Sequence, residues 1–359
     1  MSRMDDGTSG ALGPAANPLR LGARVVVRHR RAPGSVPPLT DTVGVVVSVS
    51  DTSVEIETSR GPVTILRKDF VATRAVPPRQ TRPGPAHTTI SVDDLELIMA
   101  EGWSPVERAG LGDWVLRASS GFTGRGNSVL AIGDPSLPLP LAVDHVERWY
   151  AARQLPPRFH LDLPAGAADP DDLASVRDEA ARNQAVRDEA VRGDPLGVEL
   201  LSRGYRVVQP TLTMTGASGG IPALGDGSPP VSMEAELRLD WLQTYARQRT
   251  ILPGVTEQLL TGSPAQLFAS TGVAPALTAV GRMSIHPGWA GIHALWVDPD
   301  HRRQGLGETV VRAMATLARD HRMPSMMLQV EAGNTPAIAL YQGLGFTTHH
   351  AYVYLAAPT

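Results

Sequence analysis

Apolar and polar positions change rhythm along the chain. Near the start the period is two. Arg24-Val25-Val26-Val27-Arg28 is a β-rich run, Thr42–Val49 is another with Gly44 inside it, and Val54-Glu55-Ile56-Glu57-Thr58 alternates. Arg60-Gly61-Pro62 predicts a turn, and Val63-Thr64-Ile65-Leu66 a further strand. Short strands separated by turns predict a small SH3-like β-barrel over residues 18–76. Residues 77–86 are Pro-rich and read as a semi-rigid linker, and residues 1–17 as a disordered extension.

Beyond His87 the pattern becomes mixed α/β. The stretches 87–215 and 231–357 each end with a helix running into Gly-aromatic and then a strand. In the first this is Leu200-Leu201-Ser202-Arg203-Gly204-Tyr205, in the second Leu340-Tyr341-Gln342-Gly343-Leu344-Gly345-Phe346. The parallel predicts two halves of one duplicated unit. Residues 216–230 are rich in Gly, Pro and Ser, lack periodicity and read as a linker. Residues 171–192 repeat Val-Arg-Asp-Glu-Ala and predict a solvated helix inserted into the first half, without chemistry of its own.

Composition narrows the classes. The 359 residues contain no Cys, which excludes disulfides, Cys-ligated zinc and a Cys nucleophile. No run of about 18 apolar residues occurs, so no membrane helix is expected. The N-terminus lacks the charged-then-apolar pattern of a signal peptide, and a cytoplasmic location is the expectation. Charge is uneven: residues 18–82 carry eleven basic and five acidic side chains, whereas 83–359 carry 21 and 29. The basic module could support weak, salt-sensitive nucleic-acid binding. Phe70 is its only aromatic residue, so no stacking surface accompanies the charge.

The chemistry concentrates late in the chain. Ala294-Leu295-Trp296-Val297 is an apolar strand and Asp298-Pro299-Asp300-His301 a turn. Arg302-Arg303-Gln304-Gly305-Leu306-Gly307 then leads into a helix with Val310, Val311, Met314, Leu317 and Ala318 on one face. Glycines there permit a tight turn and a close ligand, and a helix N-terminus offers unpaired N–H groups. Together they predict a pyrophosphate cradle. A strand at Met326–Val330, then Asn334, then a helix carrying Tyr341 follow.

On Val297-Asp298-Pro299, Arg302-x-x-Gly305-x-Gly307, Asn334, Ala337, Leu340-Tyr341 and Gly345-Phe346, residues 231–357 resemble the GNAT superfamily of acetyl-CoA-dependent N-acetyltransferases. The fold implied is α/β with a mixed sheet: a GNAT fold in the C-terminal half, a degenerate GNAT-like half before it, and the small barrel at the N-terminus. The resemblance implies that the backbone of Leu295, Trp296 and Val297 pairs with the pantetheine arm. It implies that Arg302, Arg303, Gln304, Gly305, Leu306, Gly307 and Glu308 surround the pyrophosphate, that Asn334 touches the cofactor, and that Tyr341 protonates the departing thiolate. The physics agrees, since a tyrosine hydroxyl near the sulfur suits general acid work and a backbone N–H near Val297 an oxyanion. In the first half the matching loop is Gly133-Asp134-Pro135-Ser136-Leu137-Pro138, which has no cradle and an acidic residue in its place.

The general base is open. Gln329 stands where relatives that acetylate ribosomal-protein N-termini carry Glu. Glu331, two residues on, His293 on the cofactor strand, and Glu234 are the candidates, with a water relay as a fourth option. Gly121–Val129, with Trp114-Val115-Leu116-Arg117 before it, resembles an actinobacterial group described as N-acetylglutamate synthases. That implies L-glutamate as acceptor and the first step of arginine biosynthesis. Its carboxylates would want Arg, with Arg125 first and Arg117 and Arg282 behind it, and Asn127 as a hydrogen-bonding partner. Protein N-termini or lysines are the alternative acceptors, and a regulatory binding role through the basic module is the alternative class. His349-His350 is not spaced as a metal pair, and no metal is expected.

Overall fold

The computed structural model describes residues 19, 24–32, 35, 38–58, 61–75, 84–163 and 187–358. The expected extension at 1–17, most of the linker at 77–86 and residues 171–186 of the expected insertion lie outside the described residues. The chain divides into two compact units, Met1–Pro78 and Arg79–Thr359.

The first unit is a five-stranded antiparallel sheet in the order β4-β3-β2-β1-β5. Its strands are β1 (Arg24–Arg30), β2 (Leu39–Val49), β3 (Ser53–Thr58), β4 (Gly61–Leu66) and β5 (Phe70–Ala75). Alternation puts Val25, Val27, Val46, Val54, Ile56 and Ile65 into one core. Gly44 is required, since a Cβ there would sit 2.0 Å from the Glu57 carbonyl oxygen.

The second unit is one continuous sheet of eleven strands, ordered β11-β12-β13-β14-β15-β10-β16-β9-β8-β7-β6. From the first half come β6 (Glu107–Leu111), β7 (Trp114–Ala118), β8 (Val129–Leu130), β9 (Arg158–Leu163) and β10 (Arg206–Ala217). From the second come β11 (Ser232–Glu234), β12 (Gln266–Val273), β13 (Ala276–His286), β14 (Trp289–Val297), β15 (Ser325–Glu331) and β16 (Thr347–Ala356). Only two neighbouring pairs run parallel, β8 with β9 and β14 with β15. Each lies in the middle of its own half, and a helix connects each pair, Leu139–Ala151 (α2) in the first and Leu306–Asp320 (α6) in the second.

The halves also trade their last strands. The strand β10, which closes the first half, pairs with β15 of the second. The strand β16, which closes the second, pairs with β9 of the first. The two exchanged strands pair with each other at the centre. A pseudo-twofold relation between β10 and β16 follows from this order, the arrangement expected of a duplicated unit. The hydrophobic pattern of residues 216–230 suggests a plain linker, but Gly216 and Ala217 finish β10.

Helices cover both faces. On one face α6 buries Leu306, Val310, Val311, Met314, Ala315 and Ala318, contributing about 1.5–3 kcal/mol for each fully buried large side chain. On the other, Val92–Gly102 (α1) places Leu95, Ile98 and Met99 against Trp289 and Met327. The helix α1 starts where Ser91 Oγ accepts from the Asp94 N–H at 3.1 Å. Pro195–Ser202 (α3), Leu239–Ala246 (α4), Val255–Thr261 (α5) and Thr335–Gly343 (α7) complete the set used below.

Candidate active site

The strands β14 and β15 are in register from Trp289↔Ser325 to Ile292↔Leu328 and then part. Past Ile292 the β15-facing backbone of β14 has no ladder partner. A bulge explains the parting. On the β13 side Val280 pairs with Trp296 and Arg282 with His293, so Ala294 and Leu295 together oppose Gly281. Ala294 takes φ 51°, and a Cβ on Gly281 would meet Met314 at 2.9 Å. The result is a V open at its C-terminal end, with Leu295 and Val297 partly exposed and Trp296 buried. An extended chain of alternating N–H and C=O groups fits the free edge of Leu295–Val297.

The cradle lies beside it. Arg303 and Gly305 both adopt left-handed conformations, φ 64° and 77°, and α6 begins at Leu306 with no side chain capping it. Its first N–H groups are therefore left for a ligand. Nothing lies within 4 Å of where a Gly305 Cβ would be. Arg302, Arg303 and Gln304 are exposed around the loop, Arg302 holding the Val297 carbonyl at 3.3 Å. The Glu308 carboxylate pairs with Arg312 at 2.5 Å, so this residue offers the cradle its N–H and not its side chain. Asn334 caps α7, its Oδ1 accepting from the Ala337 N–H at 3.3 Å. Tyr341 is packed edge-on to Phe346, and burial pushes its phenol up, so it is protonated at neutral pH.

The face covered by α1 carries the polar residues. Glu96 is buried and engaged at both oxygens. Oε1 accepts from Thr213 Oγ1 at 2.9 Å and from Gln329 Nε2 at 2.7 Å, and it lies 3.0 Å from His350 Nε2. Oε2 accepts from Gln329 at 2.9 Å and lies 3.7 Å from His160 Nε2. Burial alone would raise its pKa; the His160 charge and the His350 hydrogen bond outweigh burial and hold the carboxyl well below its ordinary range. Burial opposes the charge of His350, but the Glu96 bond prevails and its pKa is raised. Atoms of Glu96, Asp162 and His350 lie within 4.8 Å of one another, a set that could hold a cation but is already hydrogen-bonded internally. The carboxylate missing at Gln329 is thus supplied from α1, more than 200 residues earlier, a feature no local motif signals.

Of the acceptor candidates, Arg125 is brought to the site and Asn127 is not. The Arg125 guanidinium lies 5.9 Å from the Trp103 ring, and its Nε is buried without a partner. Burial works against its charge, but Tyr352, Tyr354 and Glu96 together keep it protonated. Asn127 Oδ1 accepts from the Ser119 and Gly121 N–H groups, and its Nδ2 donates to the Phe122 and Thr123 carbonyls. All four bonds go to its own loop, so Asn127 braces the loop that carries Arg125. Arg117 donates to the Ser128 carbonyl and hydroxyl. Arg282 donates to the Leu260 and Gly102 carbonyls and to Ser263. Burial pushes Arg282 down to about 9, which still leaves it charged at neutrality.

The base candidates separate. Glu331 is exposed at the end of β15, opposite Thr211. Glu234 is exposed on the edge strand β11, accepting from Ser232. His293 is buried next to the bulge, its Nε2 2.9 Å from Ser284 Oγ.

Splayed parallel strands, a bulge beside them and an uncapped glycine-led helix define the GNAT fold. Residues 238–346 match the acetyltransferase (GNAT) family. Residues 19–74 match the Rv0428c N-terminal Sm-like domain. Residues 89–191 match the C-terminal family of probable histone acetyltransferase Rv0428c. The chain is 35% identical over 170 residues to that Mycobacterium tuberculosis protein, a match spanning 44% of this chain and about half of that one (50%). It is 26% identical over 266 residues to the uncharacterized N-acetyltransferase YobR of Bacillus subtilis, across 71% of this chain and 96% of that protein. A GCN5-related N-acetyltransferase from Kribbella flavida shares the fold, with TM-score 0.52 at 14% identity over 76% of this chain and 97% of that one. No helix among the described residues is long and apolar enough to cross a membrane.

Proposed function

We propose that the protein transfers the acetyl group of acetyl-CoA to the amine of a small carboxylate-bearing metabolite, L-glutamate foremost. The observation that carries this reading is the partly buried Arg125, its Nε unpaired, on the face of the V opposite the cradle helix. Acetyl-CoA seats its pyrophosphate at the first turn of α6 and its pantetheine along Leu295–Val297. Arg125 takes a substrate carboxylate, which gives its unpaired Nε a partner. The amine attacks the thioester directly, since the chain has no cysteine to carry an acetyl group. The Val297 backbone N–H stabilises the oxyanion, and Tyr341, kept protonated by burial, donates to the leaving sulfur.

A protein amine is the second reading, favoured by the likeness to the Mycobacterium tuberculosis protein described as a probable histone acetyltransferase. Thiol release from acetyl-CoA across the amino acids, simple amines and lysine-bearing peptides separates the two. Saturable turnover with L-glutamate, well above the rest, is expected; turnover with peptides alone overturns the small-metabolite acceptor.

A further inference from the structure

A row of polar side chains, hydrogen-bonded from His293 to His286 and ending at Glu101, runs from the edge of the V toward the surface, and the mechanism above does not use it. His293 Nε2 lies 2.9 Å from Ser284 Oγ, and Ser284 Oγ lies 3.1 Å from His286 Nε2. His286 Nδ1 lies 3.7 Å from the carboxylate of Glu101, whose side chain is 28% exposed. The other ring nitrogen of His293, Nδ1, is buried and has no partner. His293 itself is the last residue of β14 before the bulge, where the cofactor strand leaves β15, and its ring lies 5.5 Å from Trp103.

We propose that His293 is the general base of the acetyl transfer proposed above, and that Ser284, His286 and Glu101 form the path by which its proton leaves. The proposal rests on that reading of the site. The amine proton goes to His293 Nδ1 as the N–C bond forms and the C–S bond breaks. The Nε2 proton of His293 passes to Ser284 Oγ, the serine proton to His286 Nε2, and the His286 Nδ1 proton to Glu101, which exchanges it with water. Each group gives up one proton as it receives one, so only Glu101 carries the net gain.

The surroundings explain why a path is needed. Arg282 from β13, Arg125 from the first-half loop and His286 face His293, and Glu101 stands at the far end of the chain. Burial first, and then the charges of Arg282 and Arg125, hold His293 far below its ordinary value, so it is a neutral acceptor at pH 7 that cannot retain a proton. The other carboxylates serve less well: Glu331 and Glu234 are exposed, and both Glu96 oxygens are engaged. Two glycines leave the room the chain occupies. A Cβ on Gly291 would lie 2.4 Å from Ser284 Oγ and 2.8 Å from His293 Nε2. One on Gly102 would lie 2.7 Å from Ser284 Oγ and 3.0 Å from His293 Nε2.

The test pairs a spectroscopic readout with kinetics. Nitrogen-15 spectra of the histidines in the free protein should show His293 protonated on Nε2 and His286 on Nδ1; His293 protonated on Nδ1 overturns the path whatever the substrate. His293→Gln should lower kcat by at least roughly 100-fold with L-glutamate or a lysine peptide, and leave acetyl-CoA affinity in place. Ser284→Ala and the surface change Glu101→Gln should lower kcat several-fold, raise the solvent isotope effect and leave KM for acetyl-CoA unmoved. A His293→Gln enzyme at wild-type kcat overturns the base; Ser284→Ala and Glu101→Gln both at wild-type kcat overturn the path. Wild-type silence with both amines defeats the proposed acceptors instead, and the tautomers still decide the path.

Discussion

Each half of the large unit carries a left-handed glycine between its parallel strand and the following helix, immediately before α6 in one and in the loop ahead of α2 in the other, and the surroundings differ. After β14 the chain reaches Gly305 at φ 77°, with open space around it and an uncapped helix behind. After β8 it reaches Gly133 at φ 73°, but a Cβ there would lie 2.6 Å from Asp113 Oδ2. Asp113 accepts the Asp134 N–H at 2.9 Å, and Asp134 accepts the Ser136 N–H at 2.7 Å. Pro140 then removes an N–H from the first turn of α2. Loop N–H groups ahead of α2 are bonded to carboxylates, whereas the first turn of α6 is uncapped. A left-handed glycine in the strand-to-helix loop is therefore common to both, and open space with uncapped donors distinguishes the second half from the first. The first half gives Glu96, Trp103, Arg125, His160 and Asp162 to the polar face covered by α1 instead.

The largest expected effect tests the binding half alone. Tyr341→Phe should cut kcat by roughly 100- to 10,000-fold and leave acetyl-CoA affinity within error. Steady-state kinetics and calorimetry check both, and calorimetry should count one acetyl-CoA per chain; a second site would break the comparison. Next comes the first half's contribution. Arg125→Gln should raise KM for L-glutamate roughly 10- to 100-fold, the worth of a charged hydrogen bond, with kcat little changed.

Smaller effects come from the paired glycines. Gly305→Ala carries only left-handed strain of about 1–2 kcal/mol, which should weaken acetyl-CoA binding by about tenfold. Gly133→Ala carries the same strain plus the Asp113 clash; it should lower the Tm further while leaving acetyl-CoA affinity alone. Equal loss of affinity in both would mean the halves are not specialised as described.

The smallest effect is on pH dependence. The lowered Glu96 pKa stabilises the fold above its unfolded value and is lost as pH falls through the folded one. The raised His350 pKa stabilises below its unfolded value and is lost as pH rises through the folded one. Glu96, Asp162 and Asp93 supply the negative charge around His350, and His349 adjoins it. Both contributions are complete between about pH 4.3 and pH 6.5. Thermal scans should peak there, and Glu96→Gln should flatten that peak.

Local sequence made the cradle legible, because Gly305, the apolar face of α6 and the strand before it sit within about 25 consecutive residues and each has a period. Arg125 was legible as a chemical type but not as a buried one. The loop bonds of Asn127 were not legible, because a loop amide looks the same in sequence whether or not it holds backbone. Glu96 beside Gln329, and Glu101 behind His286, depend on α1 packing across strands nearly 200 residues or more away, and hydrophobic period says which face is buried, not what lies on it. The strand exchange was illegible for the same reason: β10 and β16 would read alike whichever half received them.

That exchange has a mechanical consequence. The exposed stretch Gly225–Pro230 joins the halves, yet each half is clasped by the other's final strand. A protease cutting there should produce two fragments on a denaturing gel and one particle on a native column. Two separately expressed pieces, ending and beginning in that stretch, should likewise find each other and rebuild the sheet, whereas either piece alone would present an unclosed edge where its partner's strand belongs.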